Sequence, residues 1–138
     1  MAHFKKSQIS SEYLVIIGFV TFVIIGILGI AFFYTGAIKD RMRINQITNF
    51  ASKIISTSES LFYSGKPSKA TVSAYLPDGI TGIQIAEQSL IFTVYTSSGE
   101  NKISFPSKVP ITGNIIGTQG VKKITIEAQE SAVSISPA

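Results

Sequence analysis

Hydrophobic and polar positions divide this chain into three stretches with different periods. From Tyr13 to Ile38, 26 consecutive residues carry no charge, and most are Val, Ile, Leu, Phe or Gly. As a helix rising about 1.5 Å per residue they span roughly 39 Å, more than the roughly 30 Å of bilayer hydrocarbon. From Lys39 to Tyr63 the apolar residues Met42, Ile47, Phe50, Ala51, Ile54, Leu61 and Phe62 recur mostly three or four apart, with charged and polar residues between them. No proline occurs before Pro67, and Gly65 stands where a helix C-cap falls. The pattern predicts one helix from about Ile9 to Ser64, apolar on every face in its first half and amphipathic in its second.

After Pro67 the period becomes two and turn residues are frequent. Strands are predicted at 71–76, 80–86, 90–97, 102–105, 111–116, 121–128 and 132–136, with Pro77-Asp78-Gly79 as a turn and Ser98-Gly99-Glu100-Asn101 as a hairpin turn. Ile124, Ile126 and Ala128 alternate with Lys123, Thr125 and Glu127, and Val133 and Ile135 continue the alternation, so these strands have one buried and one wet face. The predicted fold is α+β: one long N-terminal helix and a small C-terminal antiparallel β domain. A sheet with one apolar face needs a cover, and the stripe between Met42 and Phe62 supplies it. About 70 residues without a disulfide are marginal alone, so helix docking is expected to be needed for stability.

The 138 residues fit one globular domain, and they contain no cysteine. The net charge of +4 is small and scattered, which argues against a nucleic-acid surface. Lys5 and Lys6 precede the apolar run and Lys39, Arg41 and Arg43 follow it, so basic residues alone do not set its orientation. The run is too long for the core of an ordinary secretory signal, and no small-residue cleavage site follows it.

Little here suggests catalysis. His3 is the sole histidine, and the carboxylates Asp40, Glu59, Asp78, Glu87, Glu100, Glu127 and Glu130 are dispersed. No enzyme activity, cofactor or metal site is expected. Gly113, Gly117 and Gly120 lack the lysine of a P-loop and read as turn residues. Asn-x-Ser/Thr sequons are absent.

Candidate chemistry concentrates at the start of the apolar run. Glu12 borders a membrane-length segment, where a carboxylate is costly without a partner; the plain alternative is a helix acid favoured by the macrodipole. Gly18, Gly29 and Gly36 fall within roughly 20° of one line along the helix, flanked by Thr21 and Gly26, and such small residues let apolar helices approach closely.

The basic pair Lys5-Lys6, the motif Gln8-x-Ser10-x-Glu12-Tyr13 and the following apolar run together resemble the class III signal peptide of archaeal type IV pilins. The resemblance is specific for residues 5–38; beyond them it rests on the lollipop architecture of helix plus β domain. It implies removal of a leader, residues 1–7, by a prepilin peptidase cutting between Ser7 and Gln8, with Ser7 standing where family leaders often carry glycine. The remaining parts are an 8–38 filament-core helix, its amphipathic continuation at 39–64, and a β domain at 65–138. A free amine at Gln8 and the Glu12 carboxylate would then set axial register among identical subunits, with Ser10 and Tyr13 in the same assembly segment. The resemblance also implies a pilus assembly ATPase and a membrane platform protein as partners, membrane residence before assembly, and an extracellular filament used for adhesion or cell contact. A minor pilin or tip adhesin shares the same front half. A membrane-anchored binding module that does not polymerise would keep Met1 to Ser7.

Overall fold

The computed structural model of the protein describes residues 2–138, with side chains from Ser10 onward. It contains one helix, α1 (Ala2–Ser64), followed by seven strands: β1 (Lys69–Leu76), β2 (Ile80–Ala86), β3 (Ser89–Thr96), β4 (Gly99–Pro106), β5 (Ile111–Gly113), β6 (Gly120–Ala128) and β7 (Val133–Pro137). The helix thus begins several residues before the expected Ile9. The chain divides into two compact units at Ile38/Lys39, the position where the sequence turns from uncharged to amphipathic.

Among the described residues the first unit is wholly helical. Its side chains are exposed around the whole circumference, from Tyr13 and Leu14 through Phe22 to Phe33 and Ile38. By length and composition this part of α1 can cross a membrane. The hydroxyl of Thr35 donates to the carbonyl of Ala31 at 2.8 Å, so this polar group is satisfied within the helix.

In the second unit the amphipathic part of α1 completes a β core. Ile47, Phe50, Ala51 and Ile54 recur on one face and are buried against Leu76, Leu90, Phe92, Val94, Ile124, Ile126, Val133 and Ile135. Phe50 meets Phe92 edge to face at 6.0 Å, and Phe92 meets Phe105 at 5.7 Å, so the helix is tied into β3 and, through it, β4. Ser58 lies on the same buried face and stays satisfied by donating to the Ile54 carbonyl at 2.8 Å. Met42 does not belong to this stripe, being 57% exposed. Gly65 ends the helix at φ +85°, its N–H donating to the Phe62 carbonyl.

The strands form two sheets, one ordered β1-β6-β7-β5 and the other β2-β3-β4. The alternation read in β6 and β7 holds: Ile124, Ile126, Ala128, Val133 and Ile135 are buried. Three local expectations change. The β5–β7 pair is parallel, so the domain is antiparallel except there. β5 stops at Gly113 rather than Ile116, because Gly113 takes φ +126° and turns the chain out of the ladder. The β3–β4 hairpin turns at Ser97-Ser98 between the paired Thr96 and Gly99, while Gly99 to Asn101 lie inside β4. Thr96 fixes that turn: its hydroxyl donates to the Gly99 carbonyl at 2.9 Å and accepts from the Asn101 side chain at 2.8 Å.

Candidate assembly surface

The sequence-derived candidates all lie on α1. Lys5, Lys6, Ser7 and Gln8 fall outside the residues whose side chains are described. Ser10, Glu12 and Tyr13 are exposed, and Glu12 enters no ion pair among the described residues. Farther along, Gly18, Gly26, Gly29 and Gly36 have no heavy atom within 4 Å of where a Cβ would sit beyond their own helical neighbourhood. Thr21 is exposed among them. They leave shallow, open stretches of backbone into which an apolar helix can pack. The chemistry of this surface is that of an apolar cylinder with a carboxylate at one end.

One arrangement that sequence reasoning missed sits just past the apolar run. Arg43 lies under the β domain with its side chain 18% exposed; it contacts Asp40 at 3.4 Å and Asp78 at 3.3 Å, and donates to the Tyr95 carbonyl at 3.0 Å. The Asp40 carboxylate in turn accepts from the backbone N–H of Ser97 at 3.1 Å and from the Ser97 hydroxyl. These bonds clasp the start of the amphipathic helix to the β1–β2 and β3–β4 turns. Gly79 is required beside them: it has φ +78°, and a Cβ there would come within 2.9 Å of the Arg43 guanidinium. The local signal was the i, i+3 spacing of Asp40 and Arg43; the partners 35 to 57 residues away gave none.

The two donors of Ser97 hold the Asp40 carboxyl below its usual value near 3.8, partial desolvation opposing them and Arg43 assisting. A carboxyl with a depressed folded-state pKa binds fewer protons folded than unfolded. Its stabilisation is therefore complete above the usual value and is lost as pH falls through the folded-state one. Thermal unfolding of residues 39–138 between pH 6 and pH 2 should show this as an acid-side loss that Asp40→Asn reduces. An unchanged acid limb in Asp40→Asn would remove Asp40 from the account of acid sensitivity.

The β domain also carries an open groove of about 350 Å³ between α1 and β1, lined by Gln46, Asn49, Phe50, Lys53, Ser73, Ala74 and Tyr75. The Lys53 ammonium crosses it to donate to the Ser73 carbonyl, which occupies the one cation there. Among the described residues no group of three or more His, Cys, Asp or Glu side chains is placed to hold a metal ion. No family model, curated protein or solved structure matches this chain.

Proposed function

We propose that this chain is the structural subunit of an extracellular archaeal type IV pilus, assembled through its N-terminal helices and used for surface adhesion or contact between cells. The observation that carries this reading is the uncharged helical segment Tyr13–Ile38, exposed on all sides and headed by Glu12 in the motif Gln8-x-Ser10-x-Glu12-Tyr13. A bilayer satisfies such a segment before assembly, and neighbouring copies of the same segment satisfy it afterwards, since one apolar surround replaces another. Residues 39–138 have a core of their own, shared between the amphipathic part of α1 and the two sheets, and on this reading form the outside of the filament. On this reading a prepilin peptidase removes residues 1–7, a membrane platform protein and an ATPase drive assembly, and the chain itself performs no catalysis.

Glu12→Gln tests it, because the substitution keeps size and hydrogen bonding and deletes the charge. The variant should insert in the membrane and be processed normally, while filaments counted by electron microscopy fall by roughly tenfold or more, equivalent to about 1.4 kcal/mol or more of lost assembly free energy. Wild-type numbers and lengths of filaments would exclude a role for this carboxylate in assembly.

A further inference from the structure

The uncharged segment is bracketed by opposite charges, three of which enter no ion pair among the described residues. At its start Glu12 is exposed and without an ion pair among the described residues. At its end stand Lys39, Arg41 and Arg43, of which Arg43 is committed to Asp40, Asp78 and the Tyr95 carbonyl. Asp40 is held by Ser97 and Arg43. Lys39 and Arg41 are exposed, and neither enters an ion pair among the described residues.

We infer that Lys39 and Arg41 of one copy are the partners of Glu12 of a second, parallel copy. This rests on the filament reading above and adds to it the axial register. Side by side with no offset, two copies oppose Glu12 to Glu12, which is repulsive. An offset of about four residues brings the amine freed at Gln8 to a neighbour's Glu12, which is the competing register; at offsets between that and 27 residues each carboxylate lies against the uncharged segment of its neighbour and is desolvated without a partner. Opposite charges meet again when the copies are displaced by 27 to 29 residues, about 40–44 Å along the helix. Copies at intermediate levels then surround the pair with apolar side chains, where attraction between charges is far stronger than in water. Lys39 and Arg41 project about 200° apart around the helix, so between them they reach neighbours on either side.

Charge reversal in the full chain tests this. Glu12→Lys adds a cation before the segment, and Lys39→Glu with Arg41→Glu removes cations after it. Both changes favour an N-terminus on the cytoplasmic side, so neither works against the required membrane orientation. Each should reduce filaments on cells by roughly tenfold, and the triple variant Glu12→Lys/Lys39→Glu/Arg41→Glu should restore them to within about twofold of wild type. Filaments at wild-type level in Lys39→Glu/Arg41→Glu would overturn the inference and leave the amine freed at Gln8 as the partner, with the filament reading intact. Loss in both variants without rescue in the triple would also overturn the register while keeping Glu12 in assembly. Wild-type chain that never leaves the membrane would overturn both the register and the filament reading.

Discussion

Residues 39–138 produced alone should fold cooperatively, and residues 67–138 should not. The longer fragment is the compact unit that begins at Lys39, and it keeps Ile47, Phe50, Ala51 and Ile54, each at most 1% exposed in the common core. Burying a large apolar side chain contributes about 1.5–3 kcal/mol, and a domain of this size has only about 5–15 kcal/mol in total. Removing the helix therefore takes away stabilisation comparable to the whole. It also opens Phe92, Ile126 and Ile135 to water, since these pack in the same core. Limited proteolysis and thermal unfolding of the two fragments check this. A cooperative transition of the shorter fragment at a similar temperature would mean that the two sheets enclose their core without α1.

Gly113→Ala should be the most damaging single methyl addition in the β domain. Gly113 holds φ +126° at the end of β5, where it pairs with Ile135 of β7, and a Cβ there would sit 1.9 Å from the Ile135 carbonyl oxygen. The backbone oxygen cannot swing aside as a side chain would, so the end of β5 must leave the ladder. That movement also disturbs the bond from the Asn114 N–H to the Ile135 carbonyl. Strain at a glycine-type conformation together with this clash should cost about 2–4 kcal/mol, or about 10–20 °C in the Tm of the 39–138 fragment. Gly117→Ala is the control: its nearest neighbour would be the Ile83 side chain at 3.9 Å, an ordinary contact, and it should change stability by less than about 1 kcal/mol. Equal melting of the two variants would contradict the geometry assigned to β5.

What the sequence revealed follows from the range of the interactions involved. The helix was readable to within one residue at its C-terminus because Gly65 and the spacing from Ile47 to Ile54 are local features. β6 and β7 were readable because one face of each is buried, which imposes strict alternation on Ile124, Ile126, Val133 and Ile135. The parallel pairing of β5 was not, since it depends on a contact between Ile111 and Val133 that no local pattern records. The hairpin at Ser97-Ser98 was placed too late because Gly99 looks like a turn residue, whereas its glycine conformation serves the first position of β4. Pairing of Arg43 with Asp78 is equally non-local. Glu12 and the segment after it were visible for the opposite reason: an uncharged run beside a carboxylate is a one-dimensional signal. On the proposed assembly its complement lies on another molecule, so nothing in the fold of one chain could have confirmed it.

The most direct measurement of the central proposal is the intact mass and N-terminal sequence of this chain in filaments sheared from the cell surface. The proposal requires the chain to be in that fraction as a polypeptide starting at Gln8, with 131 of its 138 residues and the whole Tyr13–Ile38 segment retained. Recovery of the chain only from membranes, with Met1 to Ser7 still attached, would contradict it.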